Sequence, residues 1–221
     1  MKKPKMIEEG VYKIPLVLPK SLEPQRDELE ETLLLAQRRL RAFAVRNGWD
    51  SFVREKFADR AEIYDDKGAF DIAFCRLGNV DPSIELPRTY SAALEKAVFI
   101  AVSPELYSKN YPEGVEEKSF EKLITHEIAH RLHIRILEGD EDAMGPIWFY
   151  EGFAIYAAGQ FETFSLDSTE IWKIVRSTER ESYRKYGAVF RYFLKMVSIR
   201  ELIEHAGKDD FQEWLQQIEH K

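Results

Sequence analysis

Residues 120–137 read FEKLITHEIAHRLHIRIL, and this stretch decides how the rest of the chain is read. It is helix-periodic, and it holds His126, Glu127 and His130 in an H-E-x-x-H arrangement. Two histidines four residues apart on a helix share one face, separated by about 6 Å of rise, so both imidazoles can reach one metal ion. Glu127 lies about a third of a turn away and can address water rather than the metal. The plain alternative is a pair of helix histidines that face solvent or a core amide.

Hydrolytic zinc sites take three protein ligands and keep one position open. Twenty residues separate His130 from Glu151, which sits in a second helix-like stretch, PIWFYEGFAIYAA (146–158). A carboxylate from a second helix packed on the first is a natural third ligand. Gly152, Ala154 and Ala158 would let those two helices approach closely, or they are ordinary small-residue packing. His133 is a turn beyond the pair, where a straight helix does not let three histidines converge. It is read as lying behind the ligands or at the surface. Glu138, Asp140, Glu141 and Asp142 read as a solvated loop, the alternative being an aspzincin-like ligand. Cys75 reads as a small buried hydrophobe in a strand.

H-E-x-x-H followed by W-F-x-E-G-F-A-x-Y resembles the gluzincin metallopeptidases, above all the aminopeptidase-N-type and peptidase MA-like catalytic domains. The resemblance covers about residues 96–200. It implies Zn²⁺ held by His126, His130 and Glu151, with Glu127 as general base. A second block, YRKYGAVFRYFL (183–194), resembles the helix that carries the family's catalytic tyrosine. Lys185, Val189 and Arg191 align the tyrosine with Tyr183, whereas the glycine is displaced to Gly187, which keeps Tyr186 in contention. The interval from His130 to Glu151 is two residues longer than in the aminopeptidases. Their Gly-x-Met-x-Asn edge motif is absent from AVFIAVSPE (97–105), so the resemblance implies a zinc peptidase rather than an aminopeptidase. HEIAHRLH also resembles, more faintly, the ImmA/IrrE-type regulatory peptidases.

Outside these blocks, the 221 residues have 32 Lys+Arg against 39 Asp+Glu, a net charge of −7. That balance argues against a duplex nucleic-acid binder, which needs a basic face. The longest strongly apolar run, Ala97 to Val102, is far too short to span a bilayer. One cysteine cannot form an internal disulfide, and MKKPKMIEEGVYKIPLVLPK has no sustained apolar stretch before Pro15 and Pro19. No signal peptide is expected, and the cytoplasm is the expected location.

Residues 1–24 read as an extended N-terminal arm, since they hold four of the nine prolines. Asp27 to about Arg46 reads as a helix, and 57–76 as a β-hairpin turning at Asp66-Lys67-Gly68. KAVFIAVS (96–103) reads as the best buried strand, ended by Pro104, with loops on both sides. Helices are expected at about 117–137, 146–161, 168–180, 183–197 and 208–219. The fold class is α+β, and the resemblance makes it zincin-like. Residues 25–221 then form one domain, with a sheet-containing lobe over about 25–115 and a mainly helical lobe over about 116–221. A peptide or protein substrate is expected to add to strand 97–102 as the sheet edge. The competing function is a catalytically idle zincin fold used for binding or scaffolding.

Overall fold

A computed structural model describes residues 3–219, so the first two residues of the arm and the last two of the chain lie outside it. The fold is mixed α+β, as the order of elements implies. The chain divides into two compact units between Ile128 and Ala129.

The first unit opens with strands β1 (Lys5–Glu8) and β2 (Val11–Lys13), an antiparallel pair turned at Gly10. Gly10 has φ +75°, and a Cβ there would meet the Val53 carbonyl oxygen at 2.5 Å. Only glycine fits that turn. Strand β3 (Leu16–Val17) then joins a four-stranded sheet with β4 (Arg60–Tyr64), β5 (Ala92–Glu95) and β6 (Val98–Val102), in the order β3-β4-β6-β5. The arm therefore supplies both a small hairpin and a sheet strand.

Helix α1 (Arg26–Arg46) buries Leu29, Leu33, Ala36, Leu40, Phe43 and Ala44 along one stripe, the spacing of a core-facing helix. Gln37 is buried in the same stripe. Its amide donates to the Tyr12 carbonyl and accepts from the Tyr12 N–H, so it satisfies the β2 backbone as a neighbouring strand would.

The structure departs from the sequence expectation in two places. Residues 57–76 are not a hairpin: β4 runs into helix α2 (Lys67–Gly78). The Asp66 side chain accepts from the Ala69 N–H at 2.8 Å, so Asp66-Lys67-Gly68 is a capped helix start rather than a turn. Cys75 is buried, but on this helix. Strand β4 lies parallel to β3 and to β6, and parallel neighbours require a crossover, which runs through α1 between β3 and β4 and through α2 between β4 and β6.

Strand 97–102 is not the sheet edge that the sequence led one to expect. Strand β6 is paired on both sides and buried at every position, as expected of a central strand in a partly parallel sheet. The edges are β3 and β5, and β5 lies antiparallel to β6. Lys96 (φ 46°) and Ala97 (φ 62°) form the two-residue turn between them. Paired left-handed residues there twist with the strands, but Asn-Gly is the usual signal, and Lys-Ala conceals the turn. Past β6, Ser103 caps helix α3 (Pro104–Asn110), whose Leu106 N–H it accepts at 3.2 Å. Helix α4 (Ser119–Ile136) then begins and crosses the division between the units.

The second unit is helical: the rest of α4, then α5 (Ile147–Ala158), α6 (Ser168–Val175), α7 (Tyr183–Phe193), α8 (Ile199–Ala206) and α9 (Phe211–Glu219). Helices α6 and α7 end earlier than their periodicity suggests. The α8 helix is not among the expected elements, although Ser198 and Glu201 close a capping box at its start. Its core is aromatic, with Trp148 stacked on Phe211 at 5.7 Å and Phe149 at 5.4 Å from Phe190.

Candidate metal centre

Helix α4 is anchored immediately before its first histidine. Arg39 of α1 pairs with Glu121 at 2.7 Å. The Thr125 hydroxyl, fully buried, donates to the Glu121 carbonyl at 2.8 Å and reaches the Ala36 carbonyl at 3.4 Å. His126 follows, 5% exposed, and His130 comes one turn later with 23% of its side chain exposed.

Glu151 is carried by α5. That helix starts after Gly145-Pro146 and sinks Trp148, Phe149 and Phe153 into the aromatic core. Gly152 does make a close helix approach, but to α7: a Cβ there would sit 2.8 Å from Phe190 Cβ and 2.9 Å from the Tyr186 carbonyl oxygen. Gly187 returns the contact, since its Cβ would lie 2.6 Å from Ile155 Cγ2. The two glycines let α5 and α7 pack closely, and the buried Glu151 is fixed by that packing. Ala154 and Ala158 are fully buried on the same helix.

The result is a group in which ligand atoms of His126, His130 and Glu151 all lie within 4.8 Å of one another. Glu151 Oε2 is 3.6 Å from His130 Nε2. Two imidazoles and a carboxylate form a donor set suited to a first-row divalent ion. A buried carboxylate is costly unless paired, and here its partners are the imidazole on one oxygen and an arginine on the other. These residues could hold a metal ion.

Glu127 is half-buried on α4 and stands outside the three-residue group. Tyr183 begins α7, and its hydroxyl accepts from Arg180 Nη2 at 2.6 Å. That same nitrogen donates to Glu151 Oε1 at 3.3 Å. Tyr186, by contrast, is 1% exposed, and its hydroxyl accepts from the Glu181 N–H at 2.6 Å. Burial pushes the Tyr186 phenol above its ordinary pKa. Arg191 holds the segment after α5 through the carbonyls of Phe161 and Phe164, both at 2.8 Å.

His133 is neither a ligand nor a surface residue. It is fully buried, stacked on Phe153 at 4.5 Å, and tilted against Phe149. Neither ring nitrogen has a hydrogen-bond partner among the described residues. Burial, with His130 nearby, pushes its pKa down to about 3. The acidic residues Glu138, Asp140, Glu141 and Asp142 are all exposed, as a solvated loop should be.

Arg180 is the site residue that sequence reasoning does not reach. It lies in the non-helical segment between α6 and α7, where no periodicity flags it.

No family model, curated protein or solved structure matches this chain. The site is read from its own chemistry. Among the described residues, no helix is long and apolar enough to cross a membrane.

Proposed function

We propose that the chain is a zinc-dependent peptidase of the gluzincin type. One observation carries the reading: H-E-x-x-H and a glutamate 21 positions after its second histidine, distant in sequence, converge as a compact and mostly buried metal-ligand group. When bound, zinc supplies Lewis-acid polarisation of the scissile carbonyl and lowers the pKa of water towards about 7. The chain's residues supply the rest. His126, His130 and Glu151 hold the ion. Glu127 takes the proton of the attacking water on its carboxylate and delivers it to the leaving amine. The Tyr183 hydroxyl donates a hydrogen bond to the developing oxyanion.

An extended peptide adds to one edge of the sheet, β5 (Ala92–Glu95), through main-chain hydrogen bonds. Such bonds read little side-chain identity, so the substrate class is peptide rather than a defined sequence. With a net charge of −7 and, among the described residues, no helix long and apolar enough to cross a membrane, neither nucleic acid nor membrane enters the proposal, and its setting is the cytoplasm.

The test is elemental analysis of the purified protein combined with a mixed-peptide cleavage profile. One zinc per chain and cleavage are expected. Zinc without cleavage of any peptide would leave the scaffolding alternative standing, and absence of stoichiometric metal would discard the site itself.

A further inference from the structure

We infer that Arg180 is a positioning residue: from one guanidinium nitrogen it fixes both the metal-facing orientation of Glu151 and the hydroxyl of Tyr183. The inference rests on the metal-site reading above and deepens it.

The Glu151 carboxylate is divided between two partners. Oε2 faces His130 Nε2 at 3.6 Å, and Oε1 accepts from Arg180 Nη2 at 3.3 Å. A carboxylate held by its outer oxygen cannot swing, so its inner oxygen stays turned towards the histidines. Groups that hold a metal ligand in this way typically sustain about 10–100-fold in metal affinity.

The same Nη2 donates to Tyr183 Oη at 2.6 Å, and the guanidinium lies over the Tyr183 ring, 5.6 Å from its centroid. Accepting from arginine occupies a lone pair of the phenol oxygen rather than its proton. It also restricts rotation about the C–O bond, and so sets where the O–H can donate. Arginine suits this double task because its donors are fixed in a rigid plane and its charge is permanent. Burial works against that charge, and the Tyr183 and Glu151 oxygens more than offset it. The side chain is 57% exposed, so its removal leaves little cavity.

The experiment uses the full chain and three variants: Arg180→Met, Tyr183→Phe and the double mutant. Zinc affinity is measured by chelator competition, which needs no activity. Arg180→Met is expected to bind zinc about 10–100-fold more weakly, with the melting temperature of the zinc-free protein unchanged. Tyr183→Phe is expected to bind zinc as wild type does. At saturating zinc, both single variants lower kcat with little change in KM, and the double mutant is no slower than Tyr183→Phe, because both act through one hydroxyl. Wild-type zinc affinity in Arg180→Met, or additive kcat losses in the double mutant, overturns the inference. A fall in zinc-free melting temperature parallel to the affinity loss also overturns it, as a structural role. Failure of the wild-type chain to bind zinc would instead remove the metal-site reading beneath it.

Discussion

Replacing His133 with leucine should stabilise the protein, and increasingly so as the pH falls. The imidazole is fully buried between Phe149 and Phe153 with no hydrogen-bond partner for either nitrogen. Its folded pKa of about 3 lies below the ordinary imidazole value of 6.5, so the native state excludes the proton that the unfolded state accepts. A group with a depressed folded pKa contributes its full stability above the unfolded pKa. That stability is lost as pH falls from about 6.5 towards about 3. At pH 7.5 the effect is negligible. At pH 5, RT ln(1 + 10^1.5) gives a loss of about 2 kcal/mol, nearly independent of the folded value as long as that value stays well below 5. Leucine removes this proton linkage. It also removes two unsatisfied nitrogens from an apolar core, worth a further ~1–3 kcal/mol at any pH. Urea unfolding of both proteins at pH 7.5 and pH 5, with chelator present so that ligand protonation does not enter through metal release, measures the difference. The leucine variant's advantage should widen by about 2 kcal/mol between the two pH values. An advantage that is the same at both would show that His133 is not buried neutral, and would refute the reasoning.

Other expectations follow from the site. His133→Leu should leave zinc at one per chain, since His133 stands outside the ligand group; metal loss measured by elemental analysis would point to a three-histidine site. Glu127→Gln should retain zinc and fold while peptide hydrolysis falls by about 10²–10⁴; a rate within threefold of wild type would discard Glu127 as the base. Tyr183→Phe should lower kcat by about 10²–10³ with zinc binding unchanged. Tyr186→Phe should instead cost about 1 kcal/mol of stability, through the lost bond to the Glu181 N–H, with kcat little changed. Gly152→Ala should destabilise by about 1–3 kcal/mol, because its Cβ meets a backbone oxygen at 2.9 Å; a neutral result in thermal unfolding would mean that the α5–α7 approach is looser than described.

What the sequence made legible follows the range over which its signals act. The helix period brings His126 and His130 to one face within a single turn, so those two residues could be paired without tertiary information. Glu151 needed a second helix, and a distinctive block of residues marked it. Arg180 carries no such mark: it reaches Glu151 from a non-helical segment 29 positions away, and a lone arginine between helices resembles any solvated charge. Local rules also competed with one another. Asp66-Lys67-Gly68 satisfies the composition of a hairpin turn as well as that of a capped helix start, and the parallel pairing of β4 decides between them. Lys96-Ala97 adopts left-handed backbone without glycine or asparagine, so the turn into β6, and with it the edge strand β5, left no compositional trace. The α8 capping box, Ser198 to Glu201, was by contrast present in the sequence.

The displaced glycine of the tyrosine block has a physical cause, and it bears on the choice between the two tyrosines. Gly187 faces Ile155, where any Cβ would stand 2.6 Å from the isoleucine's Cγ2. Gly152 faces Phe190 and the backbone of Tyr186 just as closely. The small residue on α7 is therefore set by where α5 crosses it, and here that crossing demands position 187. Position 186 is then available for a large side chain, which fills the core and uses its hydroxyl to accept the N–H of Glu181 at the entry to α7. A phenol so buried and so engaged cannot also serve a substrate without unpacking the helix start. Tyr183, three residues earlier and half-buried, is the tyrosine whose oxygen shares an arginine nitrogen with the metal-group carboxylate. Under the proposed peptidase function, the departure from the gluzincin pattern makes Tyr183 rather than Tyr186 the oxyanion donor, and it is the Tyr183→Phe rate, set beside that of Tyr186→Phe, on which this proposal stands or falls.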